Sequence, residues 1–210
     1  MRVPPFEWIA GHSALDFHNT VSWGRSGLTE ERLRSYADLV AWGRAAGLVA
    51  GPRALLARAR KSPPEAAQAL RRALALRATL HAVFTAIAEG RAPEPGDLRG
   101  LNGLLSRALG SLEIAKRPRG FAWSWADTAA LDGVLGPIAW AAARLLTSDE
   151  AARVGCCADE DCGWLFVDRS RRSNRRWCEM GQCGSRAKAR RYYARQRARR
   201  GRPVARSPGA

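Results

Sequence analysis

The sequence contains no apolar run long enough to span a bilayer, which excludes a helical membrane anchor within it. Its first residues, Met1-Arg2-Val3-Pro4-Pro5-Phe6-Glu7-Trp8, lack the apolar segment and small-residue cleavage site of a secretory signal, so the expectation is a cytoplasmic protein. Catalytic furniture is scarce as well. There are 3 histidines, His12, His18 and His81, scattered along the chain, and no nucleophile elbow, phosphate loop or metalloprotease signature. His81 sits inside a strong helical pattern and reads as an ordinary helix residue. An enzyme is therefore not expected; a hydrolase with a small stabilised C-terminal tail is the catalytic alternative. Acidic residues are missing from one region in particular. Residues 169–206 hold 15 Arg and Lys against the single acid Glu179, whereas the remainder is nearly balanced. The formal charge of +16 is thus concentrated in the C-terminal fifth, the mark of a polyanion-binding segment rather than of a generally basic surface.

With 210 residues and 46% hydrophobic content, the chain is long enough for one ordinary domain and a small appendage. Leu15, Phe17 and Val21 alternate with Asp16, His18 and Thr20, which predicts a strand. Thr29 before Glu30 and Glu31 predicts an N-cap and a helix reaching Gly47, with a shorter helix at 52–61. Pro63-Pro64 opens the clearest helix, to about Glu89, with Leu76, Leu80, Val83, Phe84 and Ile87 on one stripe. Asp97 caps another, carrying Leu98, Leu101, Leu105 and Leu109. Segments 112–114 and 121–125 flank Arg117-Pro118-Arg119-Gly120 and predict a hairpin. Asp127 is expected to cap a last helix to about Leu146, kinked at Gly136-Pro137. The fold class is α+β, mainly α: a helical domain with a small antiparallel sheet over 1–151, a small four-cysteine module with a basic helix over 152–196, and a disordered basic tail over 197–210.

All 5 cysteines fall between 156 and 183. Without Cys156, the pairs Cys157/Cys162 and Cys178/Cys183 share one form, C-x4-C followed by Gly, as expected of two tight loops that each offer two thiolates to one ion. Composition does not decide between Cys156 and Cys157; Cys157 makes the two spacings equal. Four thiolates suit Zn2+ and close its coordination sphere, so the metal is expected to be structural, with buried thiols or an iron–sulfur cluster as alternatives. Trp164, Phe166 and Trp177 are expected to supply, with the metal, the stability that so small a module lacks, so that it unfolds on chelation. Ser185 is placed to N-cap a helix through Arg195. Arg169, Arg171, Arg172, Arg175, Arg176, Arg186, Lys188, Arg190 and Arg191 form the expected nucleic-acid surface, with phosphate contacts dominating.

The runs Cys157-x4-Cys162-Gly163-Trp164, Asp168-Arg169-Ser170-Arg171, Arg175-Arg176-Trp177-Cys178 and Cys183-Gly184-Ser185-Arg186-Ala187-Lys188 resemble the CGNR zinc finger over about 40 residues, with Ser185 where the naming tetrad has Asn. Upstream, Ala14-Leu15-Asp16-Phe17-His18-Asn19-Thr20-Val21 and Tyr36-Ala37-Asp38-Leu39-Val40-Ala41-Trp42 resemble the ABATE-type domain that accompanies this finger in bacterial stress-response transcription regulators. The resemblance implies that Cys157, Cys162, Cys178 and Cys183 are the zinc ligands and that the partner is duplex DNA. RNA is the alternative partner, because arginine-rich helices with exposed aromatics also bind it. Exposed tyrosines at 192 and 193 would favour single strands, and buried ones a groove. A homodimer is expected from the habit of such regulators. A small-molecule effector is a further expectation, with Asp16, His18, Asn19, Thr20 and Trp23 as a candidate pocket rim; the alternative is that Asp16 and Asn19 only bond nearby backbone.

Overall fold

The computed structural model describes residues 6–24, 27–49, 51–126 and 130–200. Asp127, expected as a cap, lies outside the described residues, as do 201–210 of the basic tail.

The first element corrects the sequence reading. Residues predicted as a strand form helix α1 (Ser13–His18), whose first turn is capped by His12 Nδ1 accepting from the Ala14 N–H at 3.3 Å. The period-2 pattern misleads because Asp16 and His18 are as buried as Leu15 and Phe17, so the alternation does not separate a core face from a wet one. Strands β1 (Ser22–Gly24) and β2 (Gly27–Thr29) then pair antiparallel, Ser22 opposite Thr29. Thr29 therefore belongs to a strand, and the following helix starts later, as α2 (Tyr36–Ala45). Its cap is Ser35, whose hydroxyl accepts from the Asp38 N–H while the Asp38 carboxylate accepts from the Ser35 N–H at 2.8 Å, a reciprocal capping box.

Helices α3 (Pro52–Lys61), α4 (Pro63–Ala88) and α5 (Pro95–Leu109) each carry proline in the first turn, where the missing N–H costs nothing. The long α4 is the spine: Ala69, Ala73, Leu76, Leu80, Val83 and Phe84 are buried along it. All of these but Val83 pack in one core with Phe17, Leu39, Trp42 and Ile138. Of the α5 leucine stripe only Leu101 is buried. The predicted hairpin is present as β3 (Leu112–Arg117) and β4 (Gly120–Trp125), closed by the two-residue loop Pro118-Arg119. Gly136-Pro137 causes no kink, because α6 (Leu135–Leu146) begins just before it and Pro137 falls in the first turn.

After a 3-10 turn, Asp149–Arg153, strands β5 (Val154–Cys156) and β6 (Leu165–Val167) pair antiparallel. This hairpin was not foreseen, and it decides the architecture. Val154, Leu165 and Val167 belong to the main core, whereas Phe166, with Trp164, packs among the four cysteines. Alternation along β6 thus gives the cysteine-rich module one wall in common with the helical domain. The last described element is helix α7 (Ser185–Arg200), entered through a wide turn at Met180–Gly184. No helix among the described residues is long and apolar enough to cross a membrane.

Candidate metal centre and nucleic-acid interface

The loop after β5 brings Cys157 and Cys162 to one point, and the wide turn before α7 brings Cys178 and Cys183 to the same point. The four sulfurs lie within 4.8 Å of one another and all four residues are buried. Cys162 Sγ is 3.6 Å from Cys178 Sγ, which is 3.5 Å from Cys183 Sγ. A tetrahedron with zinc–sulfur bonds of about 2.3 Å has edges of about 3.8 Å, so the set fits one structural Zn2+. Zinc would supply a cross-link between the two loops and no open position for water. Cys156, at the end of β5, is exposed and outside the group, which settles the choice in favour of Cys157. The surroundings suit thiolates: Cys157 receives backbone N–H groups from Asp159 and Cys178, and Arg186 donates to Cys183 Sγ at 3.1 Å.

Gly163, after the first pair, has φ +63°, and a Cβ there would lie 2.6 Å from the carbonyl oxygen of Trp23. Glycine is required because the metal loop sits directly on β1. The Trp23 N–H donates to the Cys162 carbonyl at 2.8 Å, and the Trp164 indole N–H donates to the Val21 carbonyl at 2.9 Å. Ser185 does not act as an N-cap. Its backbone is already helical, and its hydroxyl donates back to the Met180 carbonyl at 3.3 Å.

Asp16, His18, Asn19, Thr20 and Trp23 come together, and none of them lines the cavities beside α5, the hairpin, the cysteine module or α7. The Asn19 amide donates to the Leu165 carbonyl at 2.9 Å and accepts the Leu165 N–H at 3.0 Å, grasping β6 of the cysteine module at two points. That fixes Oδ1 as an acceptor, so His18 Nδ1, 2.8 Å away, carries the proton and His18 Nε2 accepts from His81 Nδ1 at 3.0 Å. Trp23 stacks on His81 with ring centroids 3.7 Å apart. Burial drives the His18 pKa down to about 3, so its ring is neutral. Burial raises Asp16 to about 6, although its carboxylate accepts the Ala10 N–H. Thr20 donates to the Phe17 carbonyl and accepts from buried Arg77, itself paired with Glu31. These groups, at the positions named as a pocket rim, form an internal clasp between α1, α4 and β6. His81, read as an ordinary helix residue, is one of its members.

The basic residues divide by partner. Arg175 turns inward, donating to the carbonyls of Ile9 and Cys178 and lying 4.2 Å from the Phe166 ring centre. Arg169 pairs with Glu150 and Arg176 lies over Trp177. Arg186 and Arg190, one helical turn apart, both close on buried Asp159, at 2.8 and 2.6 Å. Burial opposes ionisation of Asp159, but the Arg190 and Arg186 guanidinium groups outweigh it and hold the carboxyl down at about 2. Arg171, Arg172 and Lys188 are exposed, without partners among the described residues. Arg191 is exposed too, its side chain donating only to a carbonyl of its own helix, that of Ala187. Lys188 and Arg191, with Arg195, are spaced to lie on the face of α7 away from Asp159. Sequence reasoning missed Asp159; the i, i+4 spacing of Arg186 and Arg190 was the available signal.

A helical domain that holds a four-thiolate zinc site, with a basic helix leaving that site, defines a zinc-finger protein. The chain belongs to the ABATE family, described as "Putative stress-induced transcription regulator", whose model matches residues 11–149, and the CGNR zinc finger model matches residues 153–196. No curated protein matches the chain.

Proposed function

We propose that the protein is a DNA-binding transcription regulator of the cytoplasm, not an enzyme, in which the zinc centre holds α7 as a rigid basic reader and two chains bind together. The observation that carries this reading is the division of the arginines. Asp159 ties one face of α7 to the metal loop, while Lys188, Arg191 and Arg195 on the other face, with Arg171 and Arg172, are left to solvent. A fixed array of uncompensated cations suits regularly spaced phosphates. A pair of such readers suits two half-sites. In this reading the clasp makes the finger's position depend on the helical domain. An effector would find space in a cavity of about 470 Å³ lined by Arg72, Leu104, Arg107, Trp125 and Leu135.

RNA or single-stranded nucleic acid is the second reading, favoured by one observation: Tyr192 and Tyr193 are both exposed on α7, at 59% and 65%, where bases could stack. The test is binding to duplex DNA, single-stranded DNA and structured RNA at several salt concentrations. About five neutralised phosphates would give a slope of log affinity against log salt of about −4 to −5 on the duplex. Preference for RNA would transfer the function to the second reading, and a flat salt response would remove both.

A further inference from the structure

Five large apolar side chains are exposed within residues 98–123: Leu98 and Leu109 on α5, and Ile114, Phe121 and Trp123 on the β3–β4 hairpin. Phe121 is 77% exposed, Ile114 65% and Trp123 61%. The register sets Ile114 opposite Trp123 and Lys116 opposite Phe121, so strand alternation turns all four to one face. Glu113, Ala115, Arg117, Ala122 and Ser124 take the other. An isolated two-stranded ribbon is marginal in water, and an apolar face of this kind marks a contact surface.

We infer that this hairpin face is where two copies of the chain pack against each other about a two-fold axis. The inference rests on the dimeric part of the proposed function and names its surface. The three hairpin side chains expose roughly 400 Å² of apolar area per copy, judged from typical aromatic areas. Two copies give roughly 800 Å² of apolar area, and the polar atoms and backbone of the ribbon bring the total towards the roughly 1,200 Å² at which specific interfaces begin. Charge argues for a second copy over a polyanion. The apolar face carries only Lys116, while Glu113 and Arg117 stand on the reverse and Arg117 donates to Ser124. A face of that kind complements itself. Position argues the same way. Trp125, at the base of the hairpin, packs on Gly136 in the first turn of α6, whereas the finger follows the other end of that helix. A dimer formed here leaves α7 uncovered.

The test is sedimentation of the full-length, zinc-loaded protein from sub-micromolar to about 100 µM, alongside Phe121→Glu/Trp123→Glu and, as a milder second variant, Ile114→Lys. Circular dichroism and zinc content serve as controls for folding. A monomer–dimer equilibrium is expected, with its dissociation constant raised about 100-fold or more in the double variant and about tenfold in the single one. Wild-type dimers that persist in both folded variants would overturn this surface and leave the dimeric reading standing. A wild type that stays monomeric throughout would overturn both. Unchanged dimerisation with weakened binding to a duplex or to anionic vesicles would assign the face to a polyanion and overturn the inference.

Discussion

The side-chain amide of Asn19 bonds both the N–H and the C=O of Leu165, as a neighbouring strand would, and so ties the helical domain to strand β6 of the cysteine module. Both ends of this contact are buried, so removing the amide leaves a donor and an acceptor of β6 unsatisfied. Asn19→Ala should destabilise the chain by about 3 kcal/mol. For a chain of this length that corresponds to about 9 °C in Tm. Urea denaturation of the zinc-loaded protein checks it; a loss below 1 kcal/mol would mean that the clasp is idle.

Metal removal should not melt the finger alone. Because Val154, Leu165 and Val167 lie in the main core, loss of the cross-link should lower the transition of the whole chain. Calorimetry with and without chelator should show one transition displaced downward. Two separate transitions would show the module to be independent. Cys156→Ser should keep the full zinc content and Cys157→Ser should lose most of it.

Asp16 should oppose the usual loss of stability in acid. Its folded pKa, raised by burial to about 6, exceeds the unfolded value near 3.8, so the folded state holds more proton between those values. This contribution improves stability as pH falls from about 6. His18 has the opposite sign: its folded value of about 3 lies below the unfolded 6.5, and its contribution is lost as pH falls below 6.5. Asp16→Asn should therefore be more stable than the wild type at pH 7, with the advantage shrinking by about 1 kcal/mol by pH 5. Denaturation at both pH values checks this, since effects common to the two proteins, zinc release included, cancel in the difference. A constant gap would refute the assignment.

The two faces of α7 should separate in mutation. Lys188→Ala and Arg191→Ala should leave Tm unchanged, and each should reduce the salt slope of nucleic-acid binding by about one. Asp159→Asn leaves Arg186 and Arg190 without their buried partner and should cost about 2 kcal/mol of stability, a figure reduced because both guanidinium groups are half exposed. Arg175→Ala should lower Tm while leaving the salt slope alone. Equal effects of Arg175→Ala and Arg191→Ala on binding would contradict the division of the arginines.

What the sequence determined was local. Proline in the first turn starts α3, α4 and α5, Pro118-Arg119 turns the hairpin, and the equal cysteine spacings choose four ligands out of five, because each of these signals is complete within a few residues. The strand expected at 15–21 is a helix, and Asp16, His18, Asn19, Thr20 and Trp23, read as a pocket rim, engage in an internal clasp, for one shared reason. Their polar side chains are satisfied by Ala10, Leu165, His81 and Arg77, and no local pattern reports partners so far along the chain. The tertiary structure alone decided that β6 divides its side chains between two cores and that Asp159 withdraws Arg186 and Arg190 from the free surface. Composition counts charges, but the charge available to a partner is what remains after the fold has paired its own, and that remainder depends on which distant groups the packing brings within hydrogen-bonding distance.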